Sequence, residues 1–539
     1  MLSLQIFTGN ANSYSSRLIK YQMGVVLDEG VLEDRPGVDP SVLAASLRAE
    51  RTGTTVLAFD IGTSGVRAAL FDGRGEQIAG SQISCPHESL DLLSESDTDV
   101  DALVDSVARA IDVALARAES FVSKIDYVAS ACFWHSLLGV DDGVRAVTPL
   151  FGWAETRAAN AVAELRLKFD ETEIHSITGA RLHPSYWPAK LLWLQQERPD
   201  LFGRTRQWLS FSDYLLLRFF GDAVTSVSMA SGTGLLNQKT CLWNAELLNG
   251  LGISPGRLPP VAVPGRTLQA LGREYSVRWP LLDRAAWFPA ISDGAANNIG
   301  AGCTTAERVA LMIGTSGAMR ALFAGAPPTR LPRQLFCYRA DHDRVVIGGA
   351  LSDGGGLIRW LKNALVLESN DDLESQLGAL APDAHGLTVL PFWAGERATG
   401  WSPAATGSIL GLTARTKTIE IIRAAMEAIC YRFALLSRAI DTIAPNAMTV
   451  AAGNALLSSP TWTQMMADVL ARQIEVSTVS EASMHGAALL ALEAAGKIDS
   501  IETVELPRGE IFAPDMARHK IYMRALERQE KFYQKLVTP

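Results

Sequence analysis

A five-residue sequence, Ile-Gly-Thr-Ser-Gly, occurs twice in the chain, at Ile61–Gly65 and at Ile313–Gly317. In both copies an apolar run precedes it and a second run with strand character follows, which predicts a β-hairpin with a small, hydroxyl-bearing tip. Such a tip presents unhindered N–H groups and hydroxyls, the groups that bind phosphate. The phosphate-binding candidates are Gly62, Thr63, Ser64, Gly314, Thr315, Ser316 and Gly317. We expect the two tips to face each other across a cleft and to hold a polyphosphate from both sides.

The two copies differ at the residue before the repeated sequence, which is Asp60 in the first and Met312 in the second. A carboxylate at a strand end, beside a phosphate-binding turn, can hold Mg²⁺, because this ion prefers oxygen ligands and keeps several waters. Arg67, in the second run of the first copy, is a further candidate for phosphate binding. For one hairpin alone, Asp60 could equally cap an ordinary turn; the repetition of the tip argues against that alternative.

Asp293 follows a predicted strand, Trp287–Ser292, and precedes a stretch of small residues. A carboxylate at the carboxyl end of a strand, with room beside it, has the placement that a general base for a substrate hydroxyl needs. Aspartate is also a favoured helix N-cap. This stretch alone leaves the catalytic and the capping interpretation equally open.

Gly453 and Asn454 follow a predicted strand, Met448–Ala452. A glycine at this point lets a flat ring approach the backbone, and the asparagine adds polar edges, so the pair is a candidate for nucleotide binding. A plain strand–turn–helix connection would use similar residues, and the alternative stays open.

Polar and aromatic residues are concentrated in the first half of the chain. The candidates for binding a sugar are His135, Trp153, Glu155, Arg157 and His183. Sugars are held by aromatic faces and converging hydrogen-bonding groups. A sugar acid would also need a cation, for which Arg157 or Lys190 is available. Each aromatic residue taken singly is more simply explained by packing; the cluster carries the hypothesis.

Each half of the chain opens with a predicted hairpin and then alternates strands with helices, which predicts two α/β domains of common ancestry with a cleft between them. We assign residues 1–51 to an N-terminal extension, 52–297 to the first domain and 298–539 to the second. The extension is either an appendage or a docking element. Other predictions are a short strand at Ala146–Phe151 and a helix at Gly354–Leu365 with Trp360 facing inward.

The composition and the absence of certain motifs argue against several classes of protein. The chain has 539 residues, 48% hydrophobic and 20% charged, with a net charge of −9, which argues against a nucleic-acid surface. Its six cysteines form no C-x-x-C pair, no apolar run approaches a membrane span, and no signal pattern opens the chain. P-loop, G-x-G-x-x-G and protein-kinase signatures are missing. A cytoplasmic enzyme with no membrane partner is expected; its assembly state stays open, with a homodimer as one option.

With these residues in view, the chain from Thr54 to Leu536 resembles the FGGY family of carbohydrate kinases, in the sugar kinase/actin/Hsp70 superfamily. The stretches that carry the likeness are Asp60–Arg67, Ile313–Gly317, Asp293, Ala452–Pro460 with Trp462, and Glu481 with Gly486–Ala488. The resemblance implies two duplicated ribonuclease-H-like (actin-like ATPase) domains around an interdomain cleft. It implies ATP and Mg²⁺ as cofactors, Asp293 as the catalytic base, and Gly453 and Asn454 in the adenosine site.

Within the family, the chain looks most like gluconate kinases, which implies phosphorylation of D-gluconate to 6-phosphogluconate. The stretches concerned are Trp153–Arg157, Thr178–Gly179, His183–Pro184, Lys190–Trp193, Ala230–Leu235, Phe336–Tyr338 and Leu390–Ala398. Three positions depart from that pattern: Glu155 stands for Asp, Thr399 for Pro, and Ser352–Asp353 for Asn-Asn. Xylulose, ribulose and glycerol remain alternative substrates. A nucleotide-dependent binding or sensor protein of the same fold is the alternative from another class.

Overall fold

The computed structural model describes residues 53–87, 98–366 and 372–537. The N-terminal extension assigned to residues 1–51 lies outside the described residues. The first half contains strands β1 (Thr55–Ile61), β2 (Gly65–Asp72), β3 (Ile83–Pro86), β4 (Tyr127–Cys132), β5 (Leu138–Val140), β6 (Gln207–Leu209), β7 (Leu236–Asn237), β8 (Leu242–Trp243), β9 (Ala286–Trp287) and β10 (Ile291–Ser292). Its helices are α1 (Val100–Ala118), α2 (Ala159–Lys168), α3 (Glu171–Thr178), α4 (Trp187–Glu197), α5 (Pro199–Arg204), α6 (Phe211–Phe220), α7 (Val227–Ser231), α8 (Ala245–Gly250), α9 (Arg273–Arg278) and α10 (Asp293–Gly300).

The second half begins with the second hairpin. Its strands are β11 (Arg308–Ile313), β12 (Gly317–Ala324), β13 (Phe336–Arg339), β14 (Arg344–Leu351), β15 (Thr388–Leu390), β16 (Ser408–Leu410), β17 (Met448–Ala452), β18 (Ile474–Val476) and β19 (Ile511–Phe512). Its helices are α11 (Gly355–Ala364), α12 (Leu373–Ala379), α13 (Thr418–Ile440), α14 (Asn454–Leu457), α15 (Pro460–Leu470), α16 (Ala482–Ala494) and α17 (Met516–Leu536).

The sheet of the first half has the order β10-β4-β1-β2-β3, with β9 also paired to β4. β1 pairs antiparallel with β2 and parallel with β4, which in turn pairs parallel with β10. Every residue of β1 is buried, as expected for a central strand covered on both faces. Because β1, β4 and β10 run in the same direction, their carboxyl ends meet at one edge of the sheet. Asp60 and Asp293 therefore come to the same edge.

The sheet of the second half, β13-β14-β12-β11-β17-β18-β19, repeats this arrangement. β11 pairs antiparallel with β12 and parallel with β17, and β17 pairs parallel with β18. A hairpin followed by parallel strands is therefore the common unit of both halves. The predicted fold class, two duplicated α/β domains of the actin-like ATPase type, is confirmed.

Helices α10 and α16 join the halves at a close crossing. A Cβ atom added to Gly300 would lie 1.8 Å from the Ala482 carbonyl oxygen, and one added to Gly486 would lie 1.9 Å from the Ala296 carbonyl oxygen. Only glycine allows two helix backbones to approach this closely. Asp293 is the first residue of α10, and α16 begins immediately after Glu481, so the crossing fixes the position of two acidic residues.

Three sequence predictions about local structure need correction. The predicted strand at Ala146–Phe151 is absent; that segment forms only isolated bridges to its neighbours. The predicted strand Trp287–Ser292 is interrupted between β9 and β10, where Pro289 has no N–H to donate to a strand partner. Trp360 does not face inward: it is 50% exposed and contacts the Trp393 ring, with centroids 5.7 Å apart.

No helix in the described parts of the chain is both long enough and apolar enough to cross a membrane.

Candidate active site

A cavity of about 520 Å³ opens between the two sheets, and we call it the cleft. Of the sequence-predicted site residues, the cleft is lined by Asp60, Gly62, Thr63, Ser64, Arg67, His135, Trp153, Asp293, Gly314, Thr315, Ser316, Gly317, Gly453 and Asn454. Glu155, Arg157 and His183 are not among its lining residues. The structure thus brings both hairpin tips, the candidate base and the candidate nucleotide residues to one space.

The two hairpin tips share a sequence but not a backbone geometry. In the first copy Ile61 lies opposite Val66, so four residues form the tip; in the second copy Ile313 lies opposite Gly317, so three do. The two tips also differ in their tertiary contacts. The N–H groups of Gly355 and Gly356, at the start of α11, donate to the carbonyls of the second tip at 2.8 and 2.9 Å. At the first tip, His87 Nε2–H donates instead to the Gly62 carbonyl at 3.0 Å.

Asp60 and Arg67 are directly opposite each other in the first hairpin, and this register explains their ion pair. Arg67 Nη1 lies 3.1 Å from Asp60 Oδ2 and 2.9 Å from Glu481 Oε2, so one guanidinium joins carboxylates from both halves of the chain. Burial raises the pKa of Asp60 to about 7, although the charge of Arg67 opposes the shift. The carboxylate oxygens of Asp60, beside a hydroxyl-bearing tip, fit a Mg²⁺ site. Arg67 is the cation with which the metal ion would compete.

Asp293 is not the N-cap of its helix. Ser292 is the cap, and its hydroxyl accepts a hydrogen bond from the Ala295 N–H. Asp293 is the first helical residue, its Oδ1 accepts from the Gly294 N–H at 2.7 Å, and its side chain lines the cleft. Burial raises the pKa of this carboxyl group, and the positive charge of Arg320 is the main opposing influence. The capping interpretation of Asp293 is therefore wrong, and the carboxylate is available to the cleft.

Gly453 and Asn454 lie between β17 and α14. Gly453 has φ +85°, and a Cβ at this position would lie 2.6 Å from the Ile313 carbonyl oxygen. The connection therefore packs directly on the strand that leads to the second tip, and this close approach requires glycine. Asn454 is the first residue of the short helix α14.

The candidate sugar residues divide between two spaces. His135 and Trp153 line the cleft, while Glu155 and His183 line a cavity of about 20 Å³ that we call the side cavity; Trp153 borders both. Arg157 binds Glu155 through two hydrogen bonds, with Nη2 2.7 Å from Oε2 and Nε 2.9 Å from Oε1. The predicted role of Arg157 in holding a sugar acid is not supported by this arrangement.

Lys190, the other predicted cation, is fully buried and donates to the His135 carbonyl at 2.7 Å. Burial lowers its pKa to about 7, and the charge of Glu155 opposes the shift. His183 is buried as well, and its Nε2–H donates across the halves to the Glu396 carbonyl at 3.1 Å. Desolvation lowers the pKa of His183 to about 3, so its ring is neutral at physiological pH.

Sequence reasoning missed a set of aromatic and cationic side chains that line the cleft. They are Tyr186, Arg320, Tyr338, Arg397 and Trp401. The hydroxyls of Tyr186 and Tyr338 share a hydrogen bond across the halves. Arg397 falls in the stretch Leu390–Ala398, which the family resemblance had marked without a role for this residue. Arg320 did carry a signal, because it is the single charged residue in the otherwise apolar sequence of β12, but sequence reasoning did not use it.

Two lobes that each carry a phosphate-type tip at the strand ends, with an acidic residue and an aromatic wall between them, define a phosphotransferase of the actin-like ATPase class. The model of the "FGGY family of carbohydrate kinases, N-terminal domain" matches residues 55–300, and that of the C-terminal domain matches 309–495. The chain belongs to the FGGY family of carbohydrate kinases, enzymes that phosphorylate an alcohol group.

Individual relatives are similar over most of the chain. A gluconokinase from Bacillus subtilis is 28% identical over 83% of this chain and 89% of its own length. A xylulose kinase from Escherichia coli is 27% identical over 89% of this chain and 99% of its own. Among solved structures, a gluconate kinase from Lactobacillus acidophilus superposes with a TM-score of 0.79 at 25% identity, covering 90% of this chain and 99% of that one.

Proposed function

We propose that this protein transfers the terminal phosphoryl group of ATP to a hydroxyl of D-gluconate, yielding 6-phosphogluconate. The observation that supports the proposal most directly is that Asp293 lines one cleft together with both hairpin tips and an aromatic wall. A reacting hydroxyl beside Asp293 would then lie between a sugar-binding surface and a phosphate-binding one. Gluconokinases among the relatives favour this acid over other sugars.

In this proposal Asp293 accepts the proton of the attacking hydroxyl. A general base works best when its pKa lies near the working pH, and the burial that raises the pKa of Asp293 moves it in that direction. The positive charge of Arg320 opposes this rise in the pKa of Asp293 and so favours the deprotonated carboxylate. Phosphoryl transfer depends mainly on positioning and on stabilisation of charge, so a preformed pair of tips supplies much of what the reaction needs.

The tips hold the phosphates through their N–H groups and hydroxyls, and Arg67 contributes a positive charge. Asp60 would hold Mg²⁺, whose charge neutralises the phosphate oxygens during transfer. Gly453 and Asn454 border the adenosine. In this assignment residues 52–297 supply the metal side and most of the sugar side of the cleft, and residues 298–539 supply the nucleotide side and complete the aromatic wall with Tyr338, Arg397 and Trp401. A cytoplasmic location and a homodimer stay predictions.

The test is a coupled assay of ADP release with ATP and a panel of acceptors: gluconate, xylulose, ribulose and glycerol. We expect the highest kcat/KM with gluconate and little ADP release without an acceptor. A preference for xylulose or glycerol would contradict the assignment of gluconate as substrate but would still support a carbohydrate kinase. ATP hydrolysis that no acceptor stimulates would contradict both, and would favour a nucleotide-dependent binding protein.

A further inference from the structure

The cleft contains a buried arginine that forms no ion pair with any described residue. Arg397 is only 8% exposed, its Nη2 donates to the Leu351 carbonyl at 2.9 Å, and its Cζ lies 4.3 Å from the centre of the Trp153 ring. Its Nε has no hydrogen-bond partner, and within residues 53–87, 98–366 and 372–537 no carboxylate forms an ion pair with it. Buried polar groups are nearly always paired, so an unpartnered donor at the wall of a cavity points to a ligand.

Arg397 lies at the end of the cleft where a sugar is expected. It borders both the cleft and the side cavity, as Trp153 does. The two phosphate-binding tips line the cleft but not the side cavity. A ligand group bound by Arg397 therefore belongs to the acceptor rather than to the phosphates.

The other cations near this end differ from Arg397 in their partners or their position. Arg157 binds Glu155, and Lys190 donates to a backbone carbonyl. Arg320 also has two buried atoms without a hydrogen-bond partner, Nε and Nη1, but it packs beside Asp293, where a Cβ added to Gly294 would lie 3.1 Å from its Cζ, and it does not border the side cavity. Among the cations described at the aromatic end, Arg397 is the one that forms no ion pair and borders both the cleft and the side cavity.

We propose that Arg397 binds the carboxylate of an aldonic acid, with the Trp153 ring as the platform that holds the guanidinium in place. The inference rests on the proposed function and names the residue that makes the acceptor site selective for an acid. A guanidinium stacked on an aromatic face keeps its edge N–H groups directed outward, and these can bind both oxygens of a carboxylate. The carboxylate end of the substrate then lies at Arg397 and the reacting hydroxyl end at Asp293.

Asp353, one of the residues that depart from the gluconate-kinase pattern, is compatible with the binding of a carboxylate at Arg397. Asp353 is buried, and its Oδ2 accepts a hydrogen bond from the Ala394 N–H at 3.1 Å. Burial raises the pKa of Asp353 to about 7, with these backbone hydrogen bonds and Arg397 opposing the shift. Near neutral pH a large fraction of this carboxyl group is protonated, so it repels an acidic substrate less than a fixed anion would.

The test compares two acceptors that differ only in charge, gluconate and its neutral amide, gluconamide, in wild type and in Arg397→Gln. We expect the substitution to lower kcat/KM for gluconate about 10- to 100-fold, the range of a lost charge-assisted contact, and to change that for gluconamide less than about threefold. Arg397→Lys should recover part of the loss, since it keeps the charge but not the planar fork. The matched control is Arg359→Gln, which removes a cleft-lining arginine of α11 and should affect both acceptors equally.

Equal losses for gluconate and gluconamide in Arg397→Gln would overturn the proposal while leaving the gluconate kinase intact. Wild-type enzyme that ignores gluconate but phosphorylates a neutral sugar would overturn the proposed substrate, and the role of Arg397 with it. If Arg397→Gln does not fold, titration of wild type with each ligand decides: similar dissociation constants for gluconate and gluconamide would overturn the proposal, and at least tenfold tighter binding of gluconate would support it.

Discussion

Substituting Gly486 by alanine should damage activity from a position outside the cleft. The new methyl group would lie 1.9 Å from the Ala296 carbonyl oxygen, roughly 1.5 Å short of an ordinary contact. The obstacle is backbone of α10, which cannot rotate away as a side chain can. Helix α16 must therefore move relative to α10 by about the missing distance.

The magnitude follows from two opposing effects. Overpacking of a close contact costs about 1–3 kcal/mol, and more when backbone blocks the way. Replacing glycine by alanine within a helix regains about 1 kcal/mol. We expect a net loss of about 2 kcal/mol in stability. Asp293 begins α10 and Glu481 precedes α16, so the same displacement misplaces both against the tips; a shift of about 1 Å can lower turnover about 100-fold.

Unfolding in urea is monitored by tryptophan fluorescence. The kcat is measured on the same preparations at urea concentrations below the unfolding transition. The matched control is Gly203→Ala in α5, because a Cβ there meets nothing within 4 Å. The control should leave kcat unchanged and should not lower the unfolding midpoint. An unchanged midpoint and unchanged turnover in Gly486→Ala would refute the close crossing of α10 and α16 as the element that positions the acidic residues.

Four further outcomes concern the cleft. Asp293→Asn should lower kcat about 100- to 10,000-fold and leave ATP affinity, measured by nucleotide titration, within about twofold; near-normal turnover would exclude it as the base. Wild-type kcat/KM should fall as the pH drops through the raised pKa of Asp293, because the base must be deprotonated. Arg320→Gln should move this limb of the pH–rate profile to higher pH, since the main opposing charge is lost, and a limb that stays in place would count against the coupling. Asp60→Ala should raise the Mg²⁺ concentration needed for half-maximal activity, and an identical Mg²⁺ titration would argue against a metal role.

The hairpins could be predicted from sequence because their signal is local. The two strands predicted on either side of the first tip are found at Thr55–Ile61 and Gly65–Asp72. An apolar run, a small polar turn and a second apolar run specify this unit with little help from the rest of the chain. The difference between the two tips could not be predicted, since the five-residue sequence is the same in both copies and the contacts that distinguish the tips come from residues outside the hairpins.

The choice of cation at the acceptor site shows the same limit. Sequence drew attention to Arg157 because it stands close to Trp153 and Glu155, but that proximity is the reason it is neutralised: the two charges bind each other. Arg397 is remote in sequence from the residues of the first half, and its position over Trp153 exists only after the two domains meet. A charge becomes available to a substrate when folding separates it from its countercharges, and spacing along the chain does not report that.

Arg67 forms ion pairs with both Asp60 and Glu481. These contacts change how the difference between the two hairpins is interpreted. Met312 replaces the carboxylate in the second copy, yet the second half still supplies an acidic group to the same place, through Glu481 at the start of α16. Arg67 is shared between the halves, and any divalent cation that binds Asp60 must compete with it. Displacement of Arg67 from Asp60 would leave its charge for the phosphates beside it. In the proposed function, one ion-pair cluster would therefore connect metal binding, phosphate binding and the contact between the two domains.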